Sequence, residues 1–411
     1  MKWKVIKNAR DELERYRNSN EWLETNRSFN HGLGLSGNHD IITKLFNETV
    51  GETTYKKQQK RRDIEILVAN LMEGKKRRPT GISMNVNHWV QSQYRRASPF
   101  TLQLIKIFEE KGLINIRKGF KMETTAKTSR IWATKKLLEY CDELSDHVIY
   151  NPVELVELRD DKGNLIEYRD TEKTYRIRTI LQRVNEVNAK ADIIYPPFKI
   201  NASLVAIFKE KFTLYGRLHT RGYKHYQGLP EQDREEIKIN GDRVIELDFS
   251  ALHPNLLYAS EGLQYNGDPY GMIDKRPEVR LFLKHILLCM LNAKDRLSAE
   301  RAANYWLKNN HQERVKLRNM GITRAKPLME QFIEAHDKIS HHFFNGKQTG
   351  MRIMNLDATI ALDIIDYFAK RNIPILAVHD SFLVQEKYGD LLKTVMGKSY
   401  RKHTGFRIKI K

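Results

Sequence analysis

Apolar positions in DIEILVANLME (63–73) recur at three- and four-residue intervals, and the spacing predicts an amphipathic helix. The same period runs through SPFTLQLIKIFEEKGLI (98–114), where Ser-Pro marks the helix start. In LINIRKGFKMETTAKTSRIWAT (113–134) the pattern becomes strand-like on either side of a basic loop. Helix, helix, strand, loop, strand between about 60 and 140 resembles a winged helix-turn-helix, with Lys118, Lys121, Lys127 and Arg130 on the wing as DNA contacts. Residues 1–55 are polar, and short helices or a loosely packed arm are expected there. Further on, VELVELRDDKGNLIEYRD (153–170) predicts a hairpin turning at Asp-Lys-Gly-Asn, and TYRIRTILQRVNEVNAKADI (174–193) a long helix. No internal repeat or low-complexity tract appears.

Length and composition narrow the class. At 411 residues with 40% hydrophobic and 30% charged, the chain predicts two or three globular domains. It has no apolar run of membrane-spanning length and no signal-peptide core near its start, which predicts an intracellular, cytoplasmic protein associated with a nucleoid or genetic element. Only Cys141 and Cys289 are present, which excludes a disulfide framework and a cysteine-only zinc site. A net charge of +20 points to a polyanionic partner.

The chemistry concentrates in two segments. VIELDFSALHPNLLYAS (244–260) begins as a strand, places Asp248 at its end and continues as a helix. IPILAVHDSFLVQ (373–385) sets His379 and Asp380 between two apolar runs, as at the turn of a hairpin. An aspartate among apolar strands is costly unless a cation compensates it, and two of them suggest a shared metal. Magnesium suits carboxylates plus substrate phosphates, and two ions together suit in-line phosphoryl transfer. His336, His341 and His342 invite a second metal reading, against which stands the ordinary surface histidine cluster.

Together these residues resemble the single-subunit polymerases: the family A, DNA polymerase I-like DNA polymerases and the bacteriophage or mitochondrial-type RNA polymerases. Tyr-Gly-Arg (215–217) is similar to the T-G-R element, DFSALHP (248–254) to motif A and DPYGMI (268–273) to the start of the fingers. RLFLKHILLCMLNA (280–293) keeps the Arg-x3-Lys spacing of motif B, and VHDSF (378–382) resembles motif C. LDAT (356–359) resembles the stretch before motif C in the RNA polymerases. The resemblance covers about residues 200–411.

The resemblance implies an α+β right-hand polymerase with an antiparallel palm sheet and helical fingers, preceded by a mostly helical winged-helix-like region. The expected divisions are 1–148 for nucleic-acid binding, 149–200 for a connector or reduced thumb, and 201–411 for palm and fingers. Asp248 and Asp380, with the carbonyl of Phe249, would hold two Mg2+ ions, Mn2+ being an alternative. Arg280 and Lys284, on one helix face, would grip the triphosphate, and Lys284 would protonate the leaving pyrophosphate. Arg217 and His379 would meet the primer–template, while Tyr270, His253 and Asn292 would face the incoming nucleotide.

The family pattern has an aromatic and a glycine at motif B positions held here by Asn292 and Ala293, and an acidic residue against the ribose at the place of His253. Ser381 in motif C matches the RNA polymerases. No acidic exonuclease pattern precedes the core, so proofreading is not expected. The expected function is DNA-directed DNA synthesis on a primer–template from nucleoside triphosphates, with a primase or compact RNA polymerase as the alternative. A DNA-binding replication initiator with a degenerate palm is the alternative of another class.

Overall fold

The computed structural model describes residues 27–411, apart from 38, 75–77, 90–91, 93, 122–125, 151–152 and 221–224. The chain is a mixed α+β protein that divides into two compact units between Glu154 and Leu155.

In the first unit, the helices Lys57–Gly74 and Phe100–Glu110 pack on a four-stranded sheet in the order Arg27–Ser28, Thr80–Ile82, Ser129–Ala133, Ile114–Arg117, and the helix Asp40–Thr49 packs on those two helices. The periodic apolar residues close its core, with Ile64, Leu67, Leu104, Ile105 and Phe108 fully buried. The helix Lys57–Gly74 also buries Asp63, whose carboxylate accepts from the Ser98 amide at 2.9 Å and so fixes the start of the third helix. The short strands Phe120–Lys121 and Ala126–Lys127 pair antiparallel as a separate two-stranded sheet. Lys118 is exposed beside it and Lys127 is half-buried in it, while Lys121 lies on its first strand. Arg130 is a correction to the wing expectation. It sits in Ser129–Ala133, paired to strands on both sides, and is 3% exposed, so its side chain offers no surface for a phosphate.

In the second unit, the expected hairpin forms from Val156–Arg159 and Leu165–Ile166. Instead of standing apart, Val156–Arg159 joins a four-stranded sheet by pairing parallel to Leu204–Lys209, which pairs in turn with Lys211–Thr220. Thr171 starts the helix Glu172–Lys190 with a capping box to Thr174, and this helix packs on the long helix Lys347–Ala369.

A six-stranded antiparallel sheet carries the candidate site, in the order Phe198–Lys199, Ile193–Tyr195, Lys238–Ile239, Asp242–Asp248, Ser381–Gln385, Leu376–Val378. Asp242–Asp248 leads into the helix Leu252–Ser260 through Ala251 in the left-handed conformation (φ 51°). The helix Pro277–Asn292 opens with proline at its first turn and buries Val279, Phe282, Leu283, Ile286, Leu287 and Met290.

Candidate active site

Register brings the two candidate carboxylates together. Asp248 pairs with Ser381, the residue immediately after Asp380, so the end of one strand meets the hairpin turn of the next. Val378 pairs with Ser381, which leaves His379 and Asp380 as a two-residue turn with His379 at φ 59°. Such turns favour glycine at the first position, and a histidine there costs on the order of 1–3 kcal/mol. Beneath the turn, Glu246 accepts from Ser381 Oγ and from both ends of the Arg234 fork at 2.8 Å. Burial, then the neighbouring Asp380 charge, push Asp248 up to about 6, with Lys411 and Lys284 opposing.

The donor set fits a divalent cation. Two carboxylates repel one another at the strand ends, and their mutual charge is relieved by a hard cation. Phe249 adds a backbone oxygen of suitable direction. It faces Ile410 in an antiparallel bridge whose hydrogen bonds run from Asp248 N to Lys411 O (2.9 Å), Lys411 N to Asp248 O (3.1 Å) and Ser250 N to Lys409 O (2.9 Å). Phe249 is therefore the non-hydrogen-bonded member, and its own carbonyl points away from the 409–411 segment. Its ring is buried against Tyr400.

A second cluster lies behind this pair. Tyr215 and Gly216 both have positive φ at an irregularity in the strand Lys211–Thr220. A Cβ on Gly216 would stand 2.7 Å from Asn355 Nδ2 and 2.8 Å from Phe208 Cε1, so glycine is required there. The bend aims Arg217 at the long helix, where it donates to Asp357 Oδ2 from Nη2 (2.9 Å) and Nε (3.2 Å). Asp357 is 2% exposed, and burial together with the Asp380 charge raises it to about 7 despite Arg217. Arg217 Nη2 also reaches His253 Nε2 at 3.2 Å. Arginine only donates, so Nε2 accepts and the ring proton resides on Nδ1. Burial and then Arg217 push His253 down to about 4, leaving it neutral near pH 7. Arg217 is thus committed to two protein partners. His379 is exposed at the turn, its ring edge-on to His219.

The third group lines a cleft of 670 Å³ between the helix Pro277–Asn292 and the 407–411 segment. Arg280 and Lys284 face it from one side of the helix. Arg280 is ion-paired to Asp268, and exposed Lys284 has its ammonium 6.0 Å from the Tyr270 ring centre. Tyr270 is 5% exposed, and burial raises its hydroxyl pKa. Asn292 ends the helix with its amide donating to the Leu288 carbonyl at 2.8 Å and packs where a Cβ on Gly350 would be 2.7 Å away.

The histidines divide. His336 is buried and bonded to Tyr258 Oη (2.9 Å) and the Pro269 carbonyl (2.8 Å). His341 and His342 converge on Glu261 Oε1 at 3.2 and 2.7 Å, a group whose ligand atoms lie within 4.8 Å of one another. The sequence reading lacked this acidic partner because Glu261 is about eighty positions away in the chain. Asp357 and the basic 407–411 segment were also missed as site residues. The first is legible as an acid within the helical apolar pattern LDATIALDII, the second as the alternation Arg-Ile-Lys-Ile-Lys.

No family model matches the chain, and no curated protein matches it. Among solved structures, the chain is similar to the POL domain of Pol1 from M. smegmatis in complex with DNA primer-template and dNTP, at 14% identity and a TM-score of 0.31. The match covers 92% of this chain and spans 66% of the length of that one. No helix among the described residues is long and apolar enough to cross a membrane.

Proposed function

We propose that this chain is a template-directed nucleotidyltransferase that extends a primer on DNA from nucleoside triphosphates. The observation that carries the reading is the pairing of Asp248 with Ser381, next to the His379–Asp380 turn and beside a cleft lined by cations. In the family resemblance it implies a right-hand palm, with Asp248, Asp380 and the Phe249 carbonyl holding magnesium. Bound there, the metal would draw the 3′-hydroxyl and the α-phosphate together and stabilise the charge that develops between them. Lys284 would donate a proton to the departing pyrophosphate, and Arg280 would orient the triphosphate. Tyr270 closes the floor beneath Lys284. Primer extension on a labelled template, with dNTPs and NTPs supplied separately, tests the reading; no incorporation of either would overturn it.

DNA synthesis is favoured over a primase or RNA polymerase by His253. The Nε2 acceptor is used by Arg217, so the ring does not accept a hydrogen bond from a ribose hydroxyl there. Its bulk remains as the means of excluding that hydroxyl. His253→Ala is expected to admit ribonucleotides while dNTP incorporation survives, shifting the dNTP/NTP ratio by about tenfold or more at equal concentrations. An unchanged ratio removes His253 as the gate.

Residues 1–154 are proposed to hold nucleic acid through their basic hairpin region, Lys118, Lys121 and Lys127 included. Binding of that fragment to duplex DNA is expected to weaken steeply as salt rises, because each phosphate contact releases counterions. Salt-independent or absent binding in a gel-shift assay would assign the unit to protein contact.

A further inference from the structure

The cations of Arg280 and Lys284 are only part of the charge around the cleft. Residues 407–411 lie against Asp248–Ser250 through the three backbone hydrogen bonds given above. Extended backbone alternates its side chains, and here the alternation is complete. Phe406, Ile408 and Ile410 pack on the core of the unit, while Arg407, Lys409 and Lys411 are exposed and belong to the lining of the cleft. The segment therefore presents a row of three cations opposite the helix bearing Arg280 and Lys284.

Arg280 is already matched by Asp268. Among the described residues, neither Arg407 nor Lys409 is paired with a carboxylate, although Asp268 also lines the same cleft. The Lys411 ammonium is 3.7 Å from Asp248 Oδ2, so the row ends at the candidate metal ligand. Hydrogen bonds from Gln264 hold the row in place, its amide donating to the Arg407 carbonyl and its carbonyl accepting from the Arg407 amide, each at 2.9 Å.

Resting on the nucleotidyltransferase reading, we propose that Arg407, Lys409 and Lys411 form a second wall of the triphosphate site. They would bind the β- and γ-phosphates from the side opposite Arg280 and Lys284. The cleft volume of 670 Å³ is in the range of small-molecule sites, and phosphate oxygens are the ligand chemistry that lysine and arginine donors recognise, two of which, Arg407 and Lys409, have no carboxylate partner among the described residues.

The test uses the full chain and tripolyphosphate with Mg2+ as the probe, so that it does not depend on catalysis. Wild type is expected to bind it by calorimetry, and Lys409→Ala/Lys411→Ala to bind it about tenfold more weakly, with Arg407→Ala reducing affinity further in the same direction. Lys409→Arg/Lys411→Arg should restore most of the affinity, and equal thermal midpoints across the set show that the fold is retained. In single-nucleotide extension, the alanine pair is expected to raise KM for the triphosphate by a similar factor while primer–template affinity stays within about twofold. Undiminished tripolyphosphate binding, or a loss confined to primer–template affinity, overturns the proposal: the row would then face a nucleic-acid backbone. If wild type binds tripolyphosphate through these residues yet extends no primer, the phosphate site stands and the polymerase reading falls.

Discussion

Asp248→Ala and Asp380→Ala are each expected to reduce nucleotide incorporation by about three orders of magnitude or more while leaving primer–template binding close to wild type. Asp248 ends the strand Asp242–Asp248 beside the hairpin turn that carries Asp380, and in the proposed reading the two carboxylates serve a cation, not the nucleic acid. With Asp248 pushed up to about 6, protons and magnesium compete for the same oxygens, so at limiting magnesium incorporation should fall as pH drops through about 6 and recover when magnesium is raised. Stability provides a separate readout. A carboxyl whose folded pKa exceeds its unfolded value destabilises the fold as pH rises through that interval, so Asp248→Asn should melt no lower than wild type at pH 8 in the absence of divalent ions. Incorporation within about tenfold of wild type in either alanine variant would remove the proposed metal site.

Arg217→Ala carries the largest expected stability effect. It deletes the partner of a carboxylate that is 2% exposed, and breaking a buried pair from one side costs about 3–5 kcal/mol because the remaining charge is uncompensated. The variant has one escape, which is to protonate Asp357. Burial already raises that group to about 7 with Arg217 opposing, and without Arg217 it rises further. Stability of the variant is then lost as pH climbs from the unfolded carboxyl value through the raised folded one. The deficit against wild type, read from urea unfolding, should be large at pH 8 and shrink towards pH 5. Asp357→Asn added to Arg217→Ala should recover most of the loss at pH 8. An equal deficit at both pH values would show that Asp357 is not the stranded charge. Because Arg217 also donates to His253, the variant should loosen sugar selection alongside stability.

Much of the secondary structure was legible because period and punctuation act locally. The helices at 57–74, 100–110 and 172–190, the strand ending at Asp248 and the turn at His379–Asp380 follow from apolar spacing and from residues that start or break elements, while the helix at 277–292 came with the family resemblance. The pair Asp248 and Asp380 was legible for the same reason, since each stands where an apolar strand stops. Tertiary structure decided what those residues face. Arg217 read as a nucleic-acid contact, yet a glycine bend and a long helix 140 positions away commit its guanidinium to Asp357. Arg130 read as a wing surface, yet strands on either side bury it. The hairpin at 156–166 read as a connector, and a parallel pairing with Leu204–Lys209 makes it part of a sheet. The row Arg407, Lys409 and Lys411 gains its meaning only from pairing with Asp248–Ser250. Local pattern selects an element and its apolar face; which distant charge meets a polar side chain depends on register and packing between elements far apart in the chain, information that no single window of the sequence contains.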